Sequence, residues 1–202
     1  RDWLKVNQKE VLEQVNTLLF KECWDKYAKG NISAWEMEAL CFYYHKHELA
    51  AIDTQKYGIV DFNYLPTEPV VDSYFKRNGK DLPIYKTYKI IGTVINKNDT
   101  RTSVALLTTN GIVNVKFTRD QYAKYSKQIS QKQEDGTKKI IEQSWFKRGT
   151  KLMITGFRRD DQFVAKTYTN TRSHQIYKIN VINNGIDMDL VHERAGAVEG
   201  EE

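Results

Sequence analysis

Four histidines, two cysteines and 26 carboxylates are the groups of this 202-residue chain that could ligate a metal or move a proton. Their spacing assembles neither chemistry. His45 and His47 stand two apart in a helically patterned stretch, so on a regular helix they point about 200° from each other, whereas a shared metal ion calls for an i, i+4 pair. Glu36 and Glu38 diverge for the same reason, and Ser33 with Glu36 has the spacing of a capping box instead. Cys23 and Cys41 fit neither a CxxC zinc site nor a disulfide framework, which points to a reducing, cytoplasmic compartment. No Gly-rich phosphate loop, nucleophile elbow or HExxH pattern occurs. The cations are more informative. Residues 86–178 carry 19 Lys and Arg against 7 Asp and Glu, residues 1–85 carry 11 against 13, and residues 179–202 carry 1 against 6. Positive charge gathered on one region is the footprint of a polyanion partner, because neutralising phosphates releases counterions and drives binding. The alternative is a solvated lysine-rich surface.

The elements that must position those cations read as five short strands. Residues 88–95 form the first, rich in β-branched side chains. Residues 103–109 and 112–118 form a hairpin across Asn110-Gly111, the dipeptide suited to the positive φ angles of a type I′ turn. In the third strand Val113, Val115 and Phe117 alternate with Asn114, Lys116 and Thr118, so the apolar set should fill an interior. Residues 119–129 carry Tyr122, Tyr125 and Ile129 at helical spacing, and a polar loop runs on to Ser144. Residues 150–157 and 163–168 supply the last two strands. Gly92 and Gly156 lie inside strands, where glycine marks the bends that closing a small barrel requires. Five strands with a helix between the third and fourth is the order of an OB-fold.

OB geometry places nucleic acid on the outer face of the second and third strands, between the loops joining strands one to two and four to five. Those places hold Lys97, Arg101, Asn114, Lys116, Arg158 and Arg159. Phe157 and Phe163 flank the last loop, as stacking platforms or as core. The expected partner is single-stranded DNA.

An α+β organisation follows, with a helical module at 1–50, a connector at 51–86, the OB domain at 87–182 and an acidic tail at 183–202 expected to be disordered. In the first helix, over 7–29, Val11, Leu12, Val15, Leu18 and Leu19 make one stripe. A second helix is expected from Ala34 to about Leu49. The connector holds all three prolines and a turn-forming Asn78-Gly79, with too many aromatics for a free linker. Arg1 is not an initiator methionine, so the N-terminus is expected to be a cut rather than a natural start. With no signal peptide and no apolar stretch near 18 residues, no membrane partner is expected.

Within 36–49, Glu36, Glu38, Leu40, Phe42, Tyr43, His47 and Leu49 match the form E-x-E-x-L-G-F-Y-x-S-x-H-P-L. This resembles a segment of the alpha subunit of bacterial DNA polymerase III, the C family, lying between a helical module behind the fingers and an OB domain. Gly111, Val115, Phe117, Lys124-Tyr125 and Gly156 also fall where that pattern has similar residues, so the resemblance spans roughly residues 30–170. Cys41 replaces its glycine, His45 its serine and Glu48 its proline, and the helix is therefore expected to run longer here. The resemblance implies a non-catalytic C-terminal part of a bacterial or phage polymerase, holding template DNA near the primer junction. Its partners would be single-stranded DNA and the rest of the polymerase chain. Magnesium would serve two-metal phosphoryl transfer in the parent polymerase, with no cofactor in this part. Gln14 to Phe20 also resembles peptides that bind the sliding clamp; amphipathic packing is the alternative. A free-standing OB protein binding single-stranded DNA or RNA is the rival reading. A protein-binding adaptor is disfavoured by the charge.

Overall fold

Helix α1 (Gln8–Tyr27) is followed by α2 (Ile32–Ala39), the single-turn α3 (Thr54–Tyr57) and a hairpin of β1 (Val71–Arg77) and β2 (Lys80–Tyr85). Then come β3 (Tyr88–Asn98), β4 (Ser103–Thr108), β5 (Gly111–Lys116) and α4 (Arg119–Ser126). A second hairpin of β6 (Ile129–Lys132) and β7 (Lys138–Glu142) leads to β8 (Lys151–Arg159), β9 (Gln162–Ala165), β10 (Ile176–Ile182) and β11 (Asp187–Val191). This computed structural model describes residues 7–27, 32–133, 137–168 and 174–195.

The strands β3, β4, β5, β9 and β8 close on one another, because β8 pairs with both β3 and β9. Strands β5 and β9 run parallel, with Val115 opposite Phe163, and every other barrel pairing is antiparallel. With α4 between the third and fourth barrel strands, this is the OB-like order expected. Leu106, Val115, Leu152 and Phe163 fill the interior without exposure. A second core lies outside the barrel wall, where Ile91 and Met153 meet Leu49, Ile52, Ile179 and Met188. Strands β3 and β8 are thus buried on both faces. That is why Ile90-Ile91 and Leu152-Met153-Ile154 read as continuous apolar runs, while β5, with one wet face, alternates. Over Leu152 to Ile154 the free edge of β8 pairs with β10, and from Gly156 onward it pairs with β9. At that change of partner a Cβ on Gly156 would fall on the Val164 carbonyl oxygen.

Several expectations need correcting. The β4–β5 turn is centred one residue early: Thr108 is opposite Gly111, and Asn110 keeps a negative φ while Gly111 sits at +133°. The cause is local, since the Thr108 hydroxyl accepts from the Asn110 amide at 3.2 Å and donates to the Gly111 carbonyl at 2.8 Å, a side-chain turn that competes with type I′. The positive φ pair occurs instead at Asn78 and Gly79, at 51° and 74°, where the connector folds into the β1–β2 hairpin. The polar stretch before Ser144 forms the β6–β7 hairpin.

The second helix stops at Ala39, ten residues short of the expected end. Cys41 just beyond the helix has φ 65°, a left-handed bend at a residue without glycine's freedom. The tail is ordered as far as it is described. Strand β11 pairs with β10, and buried Arg194 donates to Glu142 at 3.0 Å and to the Lys124 carbonyl. Residues 196–202 lie outside the described residues. Helix α1 forms as expected, but Leu12, Val15, Leu18 and Leu19 on its stripe stay exposed, as does Trp24 beyond it. Gln14 to Phe20 is helical there, not in the extended form of a clamp-binding peptide. No described helix is long and apolar enough to cross a membrane.

Candidate nucleic-acid interface

Four of the seven expected binding residues meet in one groove of about 210 Å³ on the outer barrel face: Lys97, Arg101, Asn114 and Lys116. The local fold explains the gathering. Strand β3 slips register between Val94 and Asn96 and runs on to Asn98, carrying Lys97 past the barrel rim. The tight turn that follows has Thr102 at φ 49°, and the Asn98 side chain accepts from the Arg101 amide at 2.9 Å. Lys116, outward on β5 by the alternation that buries Val115, donates to the Arg101 carbonyl and so ties strand to turn. Asn96, Asn98, Ser103 and Gln162 complete the polar lining. Asn96 and Asn98 alternate outward with Lys97 between them, and Gln162 enters where β9 begins beside Asn114. The sequence reading misses Asn96, Asn98 and Gln162, since it ends the first strand at residue 95 and cannot show β9 pairing with β5.

The groove's charge is not uniform. Asp99 sits 3.2 Å from Lys97 and accepts from the Tyr122 hydroxyl at 2.7 Å. The hydroxyl first, and Lys97 second, hold its carboxyl below the usual range. Lys97 is therefore partly compensated, while the Arg101 guanidinium makes no ion pair or hydrogen bond among the described residues. Arg101 and Lys116 are the groove's uncompensated cations.

The other three residues are placed differently. Arg158 stacks on Phe62 at 4.5 Å and donates to the carbonyls of Phe62, Leu65 and Asp160 at 3.2, 3.3 and 2.7 Å. It clamps the connector to the barrel and turns away from the groove. Phe157 is buried against Tyr85 at 4.9 Å, and Phe163 is wholly buried; neither offers a free stacking face. Arg159 is exposed at the end of β8, over the Phe157 ring and beside Gln162. No aromatic lines the groove.

The E-x-E segment is a clip onto this barrel. Glu36 accepts from the Tyr44 and His45 amides at 3.0 and 2.9 Å and contacts His45 Nδ1 at 2.5 Å, closing the bend at Cys41 rather than capping α2. Ser33 donates to the Lys46 carbonyl at 2.7 Å. Tyr43 bonds the Thr93 hydroxyl at 2.9 Å. His47 accepts from the Leu49 amide at Nδ1, which leaves Nε2–H to donate to the Leu107 carbonyl at 2.9 Å. Glu48 pairs with Lys151 at 2.5 Å. His45 and His47 are held by different partners, Glu36 for the one and the Leu107 carbonyl for the other, and no group of three or more His, Cys, Asp or Glu among the described residues could hold a metal.

Burial, more than the nearby Lys151, holds the His47 imidazole below its ordinary pKa, against the pull of the Leu107 carbonyl. The unfolded chain then binds the extra proton first, so stability is full above about pH 6.5 and falls as pH drops toward the folded value. Melting temperature is expected to decline from pH 7 to 5.5, and less so in His47→Gln. His174, also shifted downward by burial, accounts for a remainder, and an equal decline in both proteins would refute the role of His47.

The chain is 40% identical over 191 residues, 94% of its length, to the probable DNA polymerase YorL of Bacillus subtilis (strain 168). The DNA-directed DNA polymerase of Bacillus phage SPbeta matches at the same identity and coverage. The chain is similar to one part of a DNA polymerase. It spans about 15% of the length of these relatives. No family model and no solved structure matches it.

Proposed function

We propose that this chain is a non-catalytic, C-terminal part of a C-family DNA polymerase alpha subunit, of bacterial or phage origin, that holds single-stranded template DNA near the primer junction. The observation that carries the reading is the groove itself, which brings Lys97, Arg101, Asn114 and Lys116 onto the face that OB-folds use for nucleic acid. The polymerase relatives supply the setting, and the clip carrying the E-x-E segment supports the family. With three cations and no aromatic in the groove, binding is phosphate-directed and tolerant of sequence. The magnesium of a two-metal mechanism would belong to carboxylates elsewhere in the longer polypeptide, in the cytoplasm, with this part holding the strand for them.

Fluorescence anisotropy with a labelled oligonucleotide tests it. Affinity is expected to be micromolar or weaker and to fall with salt, with a log–log slope of about −2 for three phosphate contacts on a single strand. Absence of binding at low salt would remove the nucleic-acid reading.

A further inference from the structure

We propose that the β1–β2 hairpin is a second DNA contact, which grips the double-stranded part of a primer–template beside the single-strand groove; this rests on the reading that the groove takes DNA. Every residue of β1 and the first three of β2 are exposed, and the two strands pair only with each other among the described residues. A lone two-stranded ribbon is marginal in water, and while Pro83 to Tyr85 at its base are half-buried, its exposed outer part calls for a partner.

The faces differ in a way that says which partner. Lys76 lies opposite Asp81, with Tyr74 opposite Pro83, and that face is balanced. On the other, Phe75 is opposite Leu82 and Arg77 is opposite Lys80. Two like charges directly across a ladder destabilise it unless an anion comes between them. The turn at Asn78 and Gly79, both with positive φ, holds these two cations at the tip. A phosphate is the group that relieves them, and Phe75 with Leu82 behind them can meet base edges or sugars. A two-stranded ribbon fits a major groove of about 12 Å.

Position supports the assignment. The Asp160 amide in the β8–β9 turn donates to the Thr67 carbonyl at 2.7 Å, and Lys86 closes the base of the hairpin by donating to the Val70 carbonyl at 2.9 Å. The same turn delivers Gln162 into the groove. The chain segment leading into the hairpin is thus anchored to the turn that borders the groove.

The test uses the whole chain and anisotropy with two labelled probes, a single strand and a primer–template duplex with a single-stranded overhang. Arg77→Glu with Lys80→Glu is expected to weaken primer–template binding at least tenfold and single-strand binding less than threefold. Lys9→Glu with Lys21→Glu, an equal charge change on the exposed surface of helix α1, is the reference. Equal losses for the two variants on the primer–template would overturn the proposal, as would equal losses on both probes, which would make the hairpin part of the single-strand path. If wild type binds neither probe, the groove reading falls first. If Arg101→Glu with Lys116→Glu is impaired on the single strand while the hairpin variant matches the reference, the hairpin assignment alone falls.

Discussion

Reversing charge at Arg101 together with Lys116 is expected to lower affinity for single-stranded DNA at least tenfold, whereas reversing Lys132 with Lys138 costs less than threefold. Both variants change net charge equally, so diffuse attraction predicts equal losses. The difference comes from placement. Arg101 and Lys116 share one groove and lack the compensation that Asp99 gives Lys97, so a strand lying there meets both at contact distance. Lys132 and Lys138 stand opposite each other on a separate exposed hairpin and line no part of the groove. A tenfold loss is about 1.4 kcal/mol, a modest demand on two phosphate contacts. The salt slope should flatten in the groove variant alone, by about 0.7 for each contact removed. Matching affinities and slopes in the two variants would leave the fold standing and dissolve the groove as a site.

Substituting Gly156 by alanine is expected to destabilise the protein by about 3 kcal/mol or more, through forced overpacking at a backbone crossing. The new Cβ would collide with the Val164 carbonyl and lie 2.9 Å from the Phe163 ring, and neither can yield: one is barrel backbone, the other is fully buried. For a domain of this size that lowers the melting temperature by roughly 6–12 °C. Gly79→Ala, at φ 74° with open space around it, carries only the left-handed backbone penalty of about 1 kcal/mol. Gly92→Ala should fall between, since its Cβ would approach the Leu107 carbonyl at 2.9 Å. Scanning calorimetry ranks the three. A Gly156 variant no less stable than the Gly79 variant would mean that β8 and β9 do not cross so closely.

The barrel strands, the inserted helix and the strand glycines were legible in the amino-acid order because each rests on a local rule. Turn residues, β-branched runs and period-two alternation act within a few residues of one another. Charge asymmetry is likewise a property of composition, and it pointed to a polyanion before any pairing was known. The outward direction of Lys116 followed from Val115 and Phe117 on either side of it.

What tertiary structure alone decided was the fate of side chains whose partners are distant in sequence. Arg158 looked like a free loop cation, yet two of the three carbonyls it satisfies lie more than 90 residues earlier. Phe157 stood open between platform and core, and Tyr85 packed against it decides for core. Helical patterning carried α2 to about Leu49, but Glu36 folding back on the Tyr44 and His45 amides ends it at Ala39. The tail looked too acidic to fold, yet the edge of β10 and the carboxylate of Glu142 order it as far as Ala195. Composition and periodicity report what a residue can bury or expose; which neighbour covers it depends on chain closure over tens of residues, which no local pattern encodes.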